Sequence, residues 1–524
     1  MNKTITYSVL ITILALLLVN FFHYEKPLNL SQYELKQEFA IKHTASVDHS
    51  KFDILQQNFK TPQDVTEACL TCHNQRHEEI MHSSHWNWDR VDYVEGKGIS
   101  KLGKKNVLNN FCIGASTNEQ ACAKCHIGFG MSHNTFDFNN ARNVDCMVCH
   151  DKSEEYIKGT SMAGYPDRNV NLNRVAQNVG RPDKINCGAC HFYSGGGNNV
   201  KHGDLEEALL ACDRNVDVHM AANGINMDCV DCHSADKHQI KGKLYSVSST
   251  NVNRLRCEEC HTNKPHLDDV LNRHFSKVSC QTCHIPIYAK ENSTKMAWHW
   301  SEAGKLDESG NPYHEEDSLG NHTYLSIKGE FEWAKNVEPE YMWFNGNAQH
   351  YALGDTVTSV PVQVNKLLGS AEDVHSKIYP VKVHRGDQIY DPNTKMLIQP
   401  KVYAEAKGDS AYWKDFDWKL AAEAGMKGVG LPFSGEFEFI ETEMYWPINH
   451  MVSPADQALS CEDCHVRENG RLAALNDFYL PGRDKNDWID LLGNILLWGS
   501  LAGVFIHGLA RLINGFKRKE LESK

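Results

Sequence analysis

The chain has 524 residues with 18 Cys, 28 His and a formal charge of −13, and 41% of its residues are hydrophobic. The length allows roughly two to four ordinary domains. The acidic balance argues against nucleic acid as a partner, because neutralising phosphates needs a basic surface. So many cysteines leave three readings: disulfides, metal or haem.

At the N-terminus, Lys3 followed by the apolar run from Thr4 to Phe22 reads as an export signal within residues 1–24. No small-residue cleavage site follows, and the run's 19 residues suffice to stay in a bilayer. An uncleaved N-terminal membrane anchor is therefore the equal alternative.

Eight CxxCH motifs come next. Their cysteine pairs and closing histidines are Cys69, Cys72 and His73; Cys122, Cys125 and His126; Cys146, Cys149 and His150; Cys187, Cys190 and His191. The series continues with Cys229, Cys232 and His233; Cys257, Cys260 and His261; Cys280, Cys283 and His284; Cys461, Cys464 and His465. Only Cys112 and Cys212 are left over. At this composition chance would give about 0.03 such motifs. Two thiols three residues apart form thioethers to the vinyl groups of one haem, and the adjacent histidine ligates its iron. Zinc ribbons do not demand a histidine after every pair, and thioredoxin-type motifs do not come in eights. The expectation is eight covalently bound c-type haems, and hence an exported chain.

Seven motifs crowd into residues 69–284, so residues 47–284 read as a seven-haem domain of short helices and loops whose core is the haem stack. Residues 285–460 lack the motif and carry aromatic clusters such as Trp298-His299-Trp300 between turn signals. They are expected to form an irregular haem-free wrap, followed by the eighth haem and a linker over 461–487. The expected fold class is mainly α with extensive irregular structure. Residues 488–513 contain the apolar run Leu491–Ala510, with Trp488 and Trp498 at its outer half, and Lys517-Arg518-Lys519 follow. Length, aromatic flank and trailing charge predict a transmembrane helix with a basic cytoplasmic tail at 514–524. This places the chain in the inner membrane with its haem domain on the periplasmic side. A buried core helix would leave the basic tail unexplained.

Haems built for electron transfer take a second histidine. Candidates are His49, His85, His202, His238, His274, His299 and His450. Catalysis needs one iron ligated differently. Cys112, ten residues before Cys122, is a candidate nucleophile or sulfur carrier; a small buried residue or a disulfide partner of Cys212 is the bland alternative. Lys201, beside His202, and Lys158 are candidate iron ligands; either must lose its proton to bind, and a solvated position is the bland alternative.

The segments Asp48-His49-Ser50-Lys51-Phe52, Asn110-Phe111-Cys112-Ile113, Asn143–Asp151, Lys201-His202-Gly203-Asp204-Leu205 and Asn449–Ala455 resemble the octahaem tetrathionate reductase family of multihaem cytochromes c over residues 47–466. The resemblance implies seven bis-histidine haems and one lysine-ligated active-site haem beside a cysteine. Here these would be the Cys122–His126 haem and Cys112, with Lys201 favoured over Lys158. The family prototype needs no C-terminal span, so this helix is a departure. It suggests a membrane b-type cytochrome or the quinone pool as redox partner. The functional expectation is reduction of tetrathionate, nitrite or hydroxylamine. The alternatives are a non-catalytic electron conduit, and the same site running oxidatively.

Overall fold

The computed structural model describes residues 46–111, 113–242 and 252–523. The N-terminal signal or anchor and Cys112 lie outside the described residues. The chain falls into two compact units that divide between Ala458 and Leu459.

In the first unit the motifs up to residue 284 sit on short helices. The two longest, α1 (Pro62–Cys72) and α2 (Lys184–His191), open on capping boxes formed by Thr61 with Asp64 and by Asp183 with Asn186. The one-turn helix Cys229–Cys232 uses the same device: Asp228 caps it, and Asp231, a variable residue inside the motif, closes the box. One helical turn brings residues three apart to one face. The motif's spacing thus becomes two thiols side by side.

The second half of this unit overturns the expected fold class. Residues 285–460 do not wrap irregularly. They build β1 (Thr294–His299), β2 (Gly329–Ala334), β3 (Glu340–Phe344), β4 (Lys377–Asp391) and β5 (Glu438–Pro447), which join four shorter strands in a nine-stranded mixed sheet. The protein is a mixed α and β structure, not mainly α. The central strand β4 pairs antiparallel with β5 from Val381 opposite Pro447 to Tyr390 opposite Glu438, and parallel with β1 at Arg385 opposite Ala297. Gly386 permits that crossing, because a Cβ there would lie 2.2 Å from the Trp298 carbonyl oxygen.

The physical reason for the difference is burial on both faces. Val381, Lys382, Val383 and His384 are buried in succession, so β4 carries no apolar–polar alternation. The aromatic clusters of the sequence are the packing of this sheet. Trp298 stacks on Trp300 at 4.9 Å between ring centres, and Tyr412 on Trp418 at 3.7 Å. Helix α3 (Trp418–Val429) adds Ala421, Ala422 and Met426 to the buried residues and ends on left-handed Gly430.

The second unit, from Leu459, holds the eighth motif on a one-turn helix, Cys461–Cys464, capped by Ser460 and Asp463. It ends in α4 (Asp487–Glu522), 36 residues long and capped by Asn486. At 1.5 Å per residue α4 is about 54 Å long, well beyond a hydrocarbon layer of about 30 Å. Its apolar part has a mean hydropathy of 1.7, long and apolar enough to cross a membrane.

Candidate functional site

Three motif histidines direct the same ring nitrogen to a backbone carbonyl. Nδ1 of His150 lies 2.8 Å from Gly180 O, that of His233 2.8 Å from Lys241 O, and that of His465 2.8 Å from Pro481 O. Such a bond fixes the tautomer and leaves Nε2 for a metal.

Among the described residues, six motif histidines also face a second histidine. His73 faces His49 at 6.4 Å between ring centres, His150 faces His238 at 6.4 Å, and His191 faces His85 at 6.2 Å. His233 faces His450 at 6.2 Å, His261 faces His219 at 6.1 Å, and His284 faces His266 at 5.9 Å. Two metal–imidazole bonds of about 2 Å plus two ring half-widths of about 1.2 Å give about 6.4 Å. The spacing of all six pairs therefore fits one iron between each. Burial also pushes His85 down to about 4 and His191 down to about 3, toward the neutral imidazole that ligation requires.

Of the sequence candidates, His49, His85, His238 and His450 stand in these pairs. His202 instead meets Trp446 edge-on at 4.8 Å, His299 lies 3.0 Å from the Asp387 carboxylate, and His274 ends the helix Asp269–His274. The geometry brings in His219 and His266, which sequence reasoning passed over. The available signal was proximity, ten residues before Cys229 for His219 and five after His261 for His266.

The motifs also contact one another. The Cys69 thiol interacts with Cys146, Cys125 with Cys190, Cys187 with Cys229, and Cys257 with Cys280. Cys149 and Cys190 feel each other's charge, as do Cys232 and Cys260. The first, third, fourth, fifth, sixth and seventh motifs thus form a row. The Cys122–His126 motif joins it from the side, at the Cys187–His191 motif.

That side motif differs from the others. His126 is fully buried among Trp86, Trp88, Phe136 and Phe138, whose ring centres lie 5.0 to 5.9 Å away. Here it is Nε2 that meets a carbonyl, Trp86 O at 2.8 Å, while buried Nδ1 has no partner among the described residues. Iron ligation by Nε2 at this motif therefore requires the ring to leave that bond. Three lysines converge on the same motif: the Cys125 thiol is drawn down to about 6 by Cys190 and by the charges of Lys104, Lys158 and Lys201.

The two candidate lysines have different surroundings. Buried Lys158 lies 3.1 Å from the Asp145 carboxylate and donates to the carbonyls of His126 and Gly128. Asp145 also accepts from Tyr156 Oη at 2.8 Å and from the Val148 amide at 3.1 Å. The Lys201 ammonium rests 4.7 Å over the Trp446 ring. Trp446 in turn packs against Phe111 at 5.9 Å, and Phe111 directly precedes Cys112. In the adjoining segment, the Asn109 amide donates to Ile113 O at 2.8 Å. Asn110 Nδ2 ties it to His384 O at 2.8 Å, and Gln388 Nε2 to Asn109 O at 2.6 Å. Ile113 has φ 68°, a left-handed conformation that a β-branched residue pays for in strain. Beneath Phe111, at 3.9 Å, lies His384, whose two buried ring nitrogens have no hydrogen-bond partner among the described residues. Cys212, the other leftover cysteine, is buried beside Leu209, Val216 and Ala221.

Paired thiols on helical turns, each followed by a histidine and most facing a second one, define a c-type cytochrome with covalently bound haem. Comparison with known proteins agrees. A family model described as "Cytochrome c bacterial" matches residues 295–468. The crystal structure of an octahaem cytochrome c from Shewanella oneidensis superimposes with a TM-score of 0.76 and 43% identity, covering 82% of this chain and 97% of that one. An uncharacterised protein of Archaeoglobus fulgidus is 25% identical over 243 residues, 37% of this chain and 80% of its own length. The chain belongs to the octahaem cytochrome c family, and its chemistry is redox chemistry at haem.

Proposed function

We propose that the chain is a membrane-anchored octahaem oxidoreductase of the periplasmic face. It reduces an oxidised sulfur or nitrogen compound at the Cys122–His126 site with electrons from the quinone pool, delivered directly or through a membrane b-type cytochrome. Tetrathionate, nitrite and hydroxylamine are the substrates to test first. The observation that carries this reading is the setting of His126, which is enclosed by four aromatic rings at a motif whose Cys125 senses the charge of Lys201. A haem there supplies one-electron transfer and an iron that binds a small ligand.

In this reading the sixteen motif cysteines hold eight haems. The six histidine pairs are axial ligands, and Lys201 ligates or tunes the iron at His126. Cys112, which follows Phe111 in the chain, engages a sulfur substrate. The reading is tested by reducing the purified protein chemically and following its reoxidation by the three compounds. Fast turnover that Cys112→Ala abolishes for tetrathionate supports it. Low-spin haems throughout, with no turnover on any compound, would leave an electron conduit instead.

Helix α4 is the anchor in this proposal. A chain that starts from a cleavable export signal in place of residues 1–24 and ends after Arg483 is expected in the soluble periplasmic fraction with its haems attached. A shortened chain that stays in the membrane would remove that role from α4.

A further inference from the structure

Two of the six facing histidines are held by a carboxylate. Nδ1 of His450 lies 3.1 Å from Asp204 Oδ2, and the same oxygen accepts the backbone amides of Asn449 at 2.8 Å and His450 at 2.9 Å. Asp204 is 3% exposed, so solvent does little to weaken this contact. Nδ1 of His238 lies 2.8 Å from Glu79 Oε2. His238 stands at the tip of a short hairpin, Ala235–Asp236 paired with Gln239–Ile240, in a left-handed conformation with φ 59°. A residue in that conformation at a turn tip needs an external contact to fix its ring, and Glu79, braced by Arg76 at 2.5 Å, provides one.

Among the described residues the other facing histidines lack such a contact. His49 Nδ1 is buried with no partner among the described residues, and His219 Nδ1 is 3.8 Å from Asp217, beyond hydrogen-bond range. Position in the row gives the contrast its meaning. His238 faces His150 of the third motif and His450 faces His233 of the fifth. The fourth motif lies between them: Cys187 meets Cys229, and Cys190 senses Cys149. It is also the fourth motif that Cys125 of the side motif touches.

We propose that Glu79 and Asp204 are positioning residues that lower the reduction potential of the two haems flanking the branch point. Electrons then collect at the branch and on the Cys122–His126 haem instead of passing along the row. A carboxylate that accepts the Nδ1 proton makes the imidazole a stronger donor, and its negative charge favours ferric over ferrous iron. Each transfer moves one electron from a ferrous to a ferric centre, with no bond made or broken. The inference rests on the ligand pairs of the proposed function, but not on any substrate.

The experiment is an equilibrium redox titration of the intact cytochrome, followed by visible and EPR spectra, for Asp204→Asn and Glu79→Gln. Each variant is expected to keep all low-spin haems and to move one component to more positive potential. The oxidised-to-reduced ratio at fixed potential should fall about tenfold, which is 59 mV for one electron. A titration unchanged in both variants, or a shift to more negative potential, overturns the proposal. His450→Ala separates the two readings. If it converts no haem to high spin, the ligand pairing has failed. If it does so while Asp204→Asn leaves the titration unmoved, the role of the carboxylate has failed.

Discussion

Lys158→Ala is expected to cost about 3–5 kcal/mol of stability, the penalty for leaving one member of a buried ion pair alone. The side chains of Lys158 and Asp145 are 3% and 0% exposed, so water cannot replace the lost partner. Among the described residues Asp145 then keeps the Tyr156 hydroxyl and the Val148 amide, two neutral donors for a full negative charge. The same lysine clasps the backbone of the side motif through His126 O and Gly128 O, so its loss also loosens the turn carrying His126. The measurement is denaturant unfolding of the haem-loaded protein. Lys158→Met combined with Asp145→Asn removes both charges and is expected to recover most of the loss. A single-variant cost below about 1 kcal/mol would mean that the pair is hydrated, as surface pairs are.

This geometry gives the two lysines separate work. A lysine binds iron only without its proton. Lys158 donates to a carboxylate and two carbonyls, so all three of its donors are engaged within the protein. It buttresses the motif from behind its backbone. Lys201, on the aromatic face of Trp446, is the one whose environment continues to Phe111, which precedes Cys112.

The motifs were legible because covalent attachment demands two thiols and a histidine at fixed spacing, so the chemistry is written locally. The facing histidines are not local in the same way. His450 meets His233, and His238 meets His150, only through the fold, and nothing in their immediate sequence separates them from His202 or His299. His202 packs against Trp446 and His299 serves Asp387 in the sheet, both ordinary histidine contacts. The sheet was hidden for a different reason. β4 is buried on both faces, and its partner β1 lies far away in sequence and runs parallel to it, so neither alternation nor a hairpin turn marks the pairing. The contact between Phe111 and His384, which seats the loop before Cys112, follows from that sheet and was invisible with it.

Lys201→Ala is expected to lower turnover with the compound reduced by the wild-type protein by about 100-fold to 1,000-fold, the scale for removing one charged group from a preorganised site. Unfolding should change much less than in Lys158→Ala, since a cation on an aromatic ring is worth about 0.5–1 kcal/mol against about 3–5 kcal/mol for breaking a buried ion pair. That opposition to Lys158→Ala is the test of the two lysines' roles: one variant loses stability, the other loses chemistry. Spectra add an independent readout. If Lys201 ligates the iron at His126, alanine converts one haem component to high spin and leaves the bis-histidine components unmoved. Lys201→Arg keeps the charge over Trp446 but cannot bind iron, because its guanidinium does not lose its proton. Turnover preserved in Lys201→Arg would make the lysine an electrostatic neighbour of the site, and turnover lost in both variants, with the spin change in both, would make it the ligand. Full activity and an unchanged spectrum in Lys201→Ala would move the catalytic centre away from the Cys122–His126 motif altogether.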